Sequence, residues 1–484
     1  MLFNSLEFFI FFPIVIFLYW LFGRDKSKVQ NTILFIASYI FYGWWDYRFL
    51  SLIILSTLVD FYVGKAIHNT DDDRKRKNLL WVSILFNIGL LGFFKYFDFF
   101  VESFVGSFSF FGADIVNVWT LNIILPVGIS FYTFQTLSYT LDIHKGKLKP
   151  TNDLLAFGTY VAFFPQLVAG PIERASNLLP QLEAIKKFKY QQVVQGMKLV
   201  LWGLFKKVAI ADSLAIMVDD IFTNYEVYPS STLVLGTVFF AFQIYGDFSG
   251  YSDIAIGTSK MLGIELMSNF KFPYFSRSIA EFWRRWHISL STWFRDYLYI
   301  PLGGSRVKRS KAVRNIFAIF LVSGLWHGAN WTFVVWGLYH ALLFLPLFYL
   351  NVNRNHLENI NLFASPKNFL NDSVKIVITF LLVIIGWVFF RSETLSDSLL
   401  YLQKMFFEFS GGAYEHPLGY RMIDYFFLLL FFICYEYRIR KDERRPFNFK
   451  WKSVRFAAYT LVVFLLLLFY DDSMNNRSFI YFQF

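Results

Sequence analysis

Three histidines lie in or against apolar stretches of this 484-residue chain, where an imidazole could take or hold a proton. His327 sits in Val322–Trp331, which reads VSGLWHGANW, thirteen residues after Arg314 at the charged edge of the segment. A helix rising 1.5 Å per residue carries it roughly 20 Å inward, near mid-depth of a ~30 Å hydrocarbon core. An ionisable group at that depth is costly and marks a functional site by default. A neutral imidazole, with pKa ~6.5, suits general-base work near neutral pH. Gly324 and Gly328 beside it allow a second helix or a ligand to approach closely. The competing reading is a histidine satisfied by a neighbouring helix.

His287 lies in SIAEFWRRWHISLSTWFRDYLYIP, residues 278–301. At about 100° per residue, Trp283, Trp286, Leu290, Phe294, Tyr297 and Leu298 share one face, while Arg284, Arg285, Ser289, Thr292, Arg295 and Asp296 share the other. The pattern predicts an amphipathic helix over Ile279–Pro301 along the cytoplasmic interface, with His287 in the aromatic stripe. His340, beside Tyr339 in an apolar helix, reads as structural; His68, His144, His356 and His416 fall in or beside loops.

A second polar cluster, YGDFSGYSD over Tyr245–Asp253, interrupts a long apolar run. Asp247 and Asp253 are too costly to face lipid and are expected to face a wet interior, either in a structural network or against substrate. Asp60 and Asp212 share that ambiguity. The glycines of the cluster permit either close backbone approach or a broken helix. Trp326, Asn330, Asp247, Asp253, Arg284, Arg285 and Arg295 are the candidates for substrate contact, and no metal-ligand spacing is present.

The elements that must position these residues are membrane helices. The chain is 56% apolar and 22% aromatic, contains 63 Phe, and is only 17% charged, which excludes a disordered chain and argues against a water-soluble enzyme. Candidate spans are Leu6–Phe22, Ile33–Trp45, Phe49–Ile67, Leu79–Phe94, Leu121–Leu141, Val193–Ile210, Leu233–Ile264, Asn315–Leu350 as a hairpin, Val374–Phe390, Arg421–Tyr437 and Phe456–Tyr470. Cys434 is the single cysteine, so no intrachain disulfide forms. Basic residues collect at 74–77, at 145–149, between Arg306 and Arg314, and from Arg438 to Arg455, whereas Asp98–Thr120 and Asp219–Thr232 contain no Lys or Arg. The positive-inside rule therefore places the N-terminus and the tail Asp471–Phe484 outside, provided that Leu154–Gly170 dips in and returns. The net charge of +11 is then a cytoplasmic collar that meets anionic lipid and attracts a phosphate-bearing donor, with no role for nucleic acid.

The stretches FPQLVAGPI from Phe164, Tyr245–Asp253, Phe282–Gly304, SGLWHG from Ser323 and the terminal FIYFQF from Phe479 resemble the membrane-bound O-acyltransferase (MBOAT) family, in its bacterial alginate O-acetylation branch. The resemblance spans nearly the whole chain. It implies an all-α polytopic protein of the bacterial cytoplasmic membrane. About eleven tilted helices, with re-entrant and interfacial pieces, would surround a central funnel. Within one membrane domain, residues 1–120 would be N-terminal helices, 121–350 the catalytic core, 351–470 C-terminal helices and 471–484 an outer tail.

The resemblance further implies that His327 is the catalytic histidine and His287 the second histidine of the motif. An acetyl group would pass from a cytoplasmic thioester, acetyl-CoA or a carrier protein, with no bound cofactor. Outside, a separate SGNH esterase-fold protein would place it on a surface polysaccharide. Tyr481, in the outer tail, could relay the acetyl group, because a phenol (pKa ~10) is a better leaving group than an alkyl alcohol. Tail docking alone, and direct transfer to the partner's serine, remain open readings. The rival functions are a polysaccharide-precursor transporter or flippase, and a non-catalytic scaffold for the outer esterase.

Overall fold

The computed structural model describes residues 1–110, 121, 123–168, 170–357, 366–470 and 479–480, and every regular element among them is helical. Among the described residues, five helical stretches are long and apolar enough to cross a membrane: Ser27–His68, Asp73–Phe108, Ser230–Met261, Trp331–Tyr349 and Phe369–Arg391. Large apolar side chains such as Phe17, Leu85, Ile378 and Leu467 stand exposed on the helices, as a lipid-facing surface requires. The chain divides into two compact units, residues 1–193 with 259–266, and residues 194–258 with 267–484.

In the first unit, helix starts follow local caps: Ser5 accepts from the Phe8 amide, and Asp72 accepts from the Arg74 and Lys75 amides. The segment expected to dip and return forms two short buried helices, Leu154–Ala162 and Phe164–Leu167. Asp60 takes hydrogen bonds from Ser83 Oγ at 2.5 Å and Asn87 Nδ2 at 2.8 Å, so here it belongs to a structural network.

In the second unit, the helix Tyr190–Leu204 runs through a π-helical segment, Phe205–Asp212, against Ser230–Met261. The glycines of the Tyr245–Asp253 cluster do not break the 32-residue Ser230–Met261 helix. They let a neighbour in: a Cβ on Gly250 would stand 2.7 Å from the Gly203 carbonyl oxygen. That close approach is how small residues pack membrane helices, and it brings Lys206 and Lys207 onto the acidic cluster. The expected hairpin forms as Arg309–His327 and Trp331–Tyr349, with Gly324 against the Phe333 backbone and Gly337 against that of Phe320.

The single amphipathic helix expected over Ile279–Pro301 does not form. Ile279–Arg285 ends, Trp286 and His287 turn, and Ile288–Phe294 resumes before a π-helical turn at Arg295–Tyr299. The cause lies in the preceding segment: the Lys271 amide donates to Arg285 O at 3.0 Å, and the Ile288 amide donates to Asn269 O at 2.9 Å. These bonds replace the helical ladder through the turn and leave His287 left-handed, at φ +43°. A non-glycine residue in that region costs about 1–3 kcal/mol and needs its surroundings to hold it.

Candidate active site

His327 ends the helix Arg309–His327, where Gly328 turns the chain away. Its ring packs edge-on against Trp326 at 5.0 Å, Trp336 at 5.1 Å and Phe390 at 5.3 Å, and it is 3% exposed. His287, 1% exposed, has its ring centre 6.4 Å from that of His327 and 5.8 Å from Trp326. The turn that overrides the expected helix therefore aims the second imidazole at the first. Of the residues expected at the site, His287, His327 and Trp326 form one cluster.

Asn269 holds His287 in place, and the sequence reading did not single it out. Its Nδ2 donates to Ser252 Oγ at 3.2 Å, so Oδ1 is the acceptor. Oδ1 accepts from Ser289 Oγ at 2.8 Å and lies 3.0 Å from His287 Nδ1. The neutral His287 ring accordingly carries its proton on Nδ1, which makes Nε2 the basic nitrogen. Burial pushes the His287 pKa down from 6.5 to about 3, so the ring is neutral across the physiological range.

The other candidates have partners elsewhere. Asp253 pairs with Lys206 at 2.6 Å, and Asp247 pairs with Lys207 at 2.7 Å. Phe248, next to Asp247, sets its ring edge-on to His287 at 4.7 Å, so the acidic cluster borders the imidazole site through this ring. Arg284 donates to the carbonyls of Asn353 and Asn355, Arg285 to Glu281 at 2.7 Å, and Arg295 to Asp296 at 2.7 Å. Asn330 caps Trp331–Tyr349 by accepting from the Thr332 amide and also donates to Glu393 O. Tyr481 lies outside the described residues.

A cavity of about 800 Å³ lies along the helix that ends in His327. Arg309, Ala312, Ile316, Phe320 and Ser323 line one wall, spaced three or four residues apart on one stripe of their helix. The stripe covers about 21 Å, and its next position is His327, one turn past Ser323. Trp283, Leu290 and Phe294 face it, and Arg354 joins Arg309 among its lining residues. Arg309 and Arg354, rather than Arg284, Arg285 or Arg295, are the arginines on this space. The helical spacing of Arg309 and Ser323 from His327 was a signal present in the sequence. That a cavity follows the stripe was not.

Among the described residues, no group of three or more His, Cys, Asp or Glu side chains could hold a metal ion. Two imidazoles, one of them oriented by Asn269, and a cavity lined by Arg309, Arg354 and apolar side chains have the chemistry for transfer from an anionic, activated donor.

Comparison with known proteins places the chain in a family. Residues 149–360 match the MBOAT model, the membrane-bound O-acyltransferase family. A probable alginate O-acetylase, AlgI, of Pseudomonas putida is 36% identical over the full length of both chains. A peptidoglycan O-acetyltransferase of Helicobacter pylori is 36% identical over 77% of this chain and 73% of its own. A teichoic acid D-alanyltransferase of Bacillus subtilis is 30% identical over 56% of this chain and 70% of its own.

Proposed function

Since this chain belongs to the membrane-bound O-acyltransferase family, we propose that it carries acetyl groups from a cytoplasmic thioester to a polysaccharide outside the bacterial cytoplasmic membrane. The observation that carries this reading is the stripe Arg309–Ser323, which lines the cavity up to one turn before His327. Arg309 and Arg354 offer positive charge to a phosphate-bearing donor such as acetyl-CoA. The apolar wall accepts the arm that bears the thioester. His327 is the general base: it takes the proton of the attacking hydroxyl as the new C–O bond forms and the C–S bond breaks. The departing thiolate then recovers that proton. His287, fixed by Asn269, orients the reactants through Nε2.

In this reading about eleven membrane helices surround a funnel, with the N-terminus and the tail outside. The Tyr481 phenol accepts the acetyl group as an ester and hands it to the serine of an SGNH esterase-fold partner. The relatives' names include alginate, peptidoglycan and teichoic acid, which favours an anionic or amino-sugar surface polymer as the acceptor.

The test uses the full chain in nanodiscs with labelled acetyl-CoA. Release of CoA thiol that depends on an acceptor is expected, and His327→Ala should lose it by about 10²-fold or more while remaining folded. Near-normal release in that variant refutes the assignment.

A further inference from the structure

The buried pair Lys207–Asp247 does more than neutralise itself. Lys207 Nζ lies 2.7 Å from Asp247 Oδ1 and 2.8 Å from Asp212 Oδ1, so one ammonium faces two carboxylates. The remaining Asp247 oxygen, Oδ2, accepts the backbone amide of Ile480 at 2.6 Å. That donor comes from the other end of the chain, 233 residues away in sequence. Phe479 beside it is fully buried, its ring 4.6 Å from Tyr251 and 5.6 Å from Phe248. Phe248 is also the ring that borders His287. Phe248 thus touches both Phe479 and His287.

We infer that Lys207–Asp247 is the docking site of the C-terminal tail, and that Asp247 is a positioning residue for it. An amide donating to a carboxylate is a charge-assisted bond, stronger than a neutral one. Lys207 holds the carboxylate so that Oδ2 faces the incoming strand. The Tyr251–Phe248 groove selects an aromatic residue at position 479, and the Asp247 bond sets the register at 480. The inference deepens the proposed function, because the next residue in sequence is Tyr481, the proposed acyl relay. Docking and relay are nonetheless separable properties. The neighbouring pair Lys206–Asp253 sits on the same two helical segments, and neither of its members bonds to the tail among the described residues, so it serves as an internal control.

The experiment is hydrogen exchange by mass spectrometry on the full chain in nanodiscs, following the C-terminal peptide that contains Phe479–Ile480. Asp247→Ala should raise exchange there about tenfold or more, the loss expected of one charge-assisted bond. Asp247→Asn keeps an acceptor oxygen and should restore part of the protection, while Asp253→Asn should leave the tail protected. Ile480→Pro deletes the donor from the tail side without altering the pair, and guards against misfolding of the Asp247 variants. It too should release the tail. Unchanged protection in both Asp247→Ala and Ile480→Pro overturns the inference, whatever happens to acetylation. A released tail with full acetylation upholds the docking site and removes Tyr481 from the relay.

Discussion

Asn269 Oδ1 lies 3.0 Å from His287 Nδ1, and this contact decides which nitrogen of the second imidazole is basic. The same residue's carbonyl accepts the Ile288 amide, so Asn269 also maintains the turn that points the ring toward His327. Asn269 thus bears on both tautomer and direction.

Asn269→Leu should therefore lower kcat for acetyl transfer by about 10- to 100-fold with little change in the donor KM. A parallel rise in KM and loss of thermal stability would show a purely structural role. Asn269→Asp is the sharper variant. A carboxylate at Nδ1 favours the imidazolium, so the acid limb of the kcat–pH profile should move to higher pH.

The lowered His287 pKa sets a pH dependence of stability. The folded ring resists protonation to about pH 3, whereas the unfolded ring titrates near 6.5. Between these values the unfolded chain binds the extra proton, so stability falls as pH drops through that window and is fully present above it. His287→Asn should flatten the acid side of a Tm–pH curve. Equal slopes in variant and parent would count against a neutral buried ring.

The donor assignment predicts a different signature. Arg309→Gln combined with Arg354→Gln should raise the KM for acetyl-CoA by about tenfold or more and leave kcat nearly unchanged. The salt dependence of KM should weaken at the same time. Arg295→Gln, whose partner is the adjacent Asp296, is the contrasting variant and should leave KM near the parent value.

Packing of the acidic cluster can be tested through Gly250. Leucine there would drive a side chain into the Gly203 carbonyl, already only 2.7 Å from an added Cβ. Gly250→Leu should destabilise the chain by about 2 kcal/mol or more, read as a lower Tm in nanodiscs, because overpacking forces the two helices apart. Gly89→Leu, where an added Cβ meets nothing within 4 Å, should not.

Much of this molecule is legible in its residues taken in order. Hydropathy marks many of the helices and the Asn315–Leu350 hairpin. The count from Arg314 predicts an inward position for His327, because a helix converts sequence distance into length at a fixed rate, and the ring is buried in the structure. The cost of a charge in hydrocarbon likewise singles out Asp247 and Asp253 as needing partners. None of this says who the partners are. Lys207, Asn269 and Ile480 reach their sites through contacts across 18 to 233 residues of sequence. Periodicity reports only which neighbours share a face, so it drew one continuous helix through His287. Backbone bonds to Asn269 and Lys271, invisible to any local pattern, broke that helix. The sequence alone thus singled out the polar groups set in apolar segments. The packing of distant segments decided how each is oriented, since hydrogen-bond geometry belongs to the assembled pair and not to either residue.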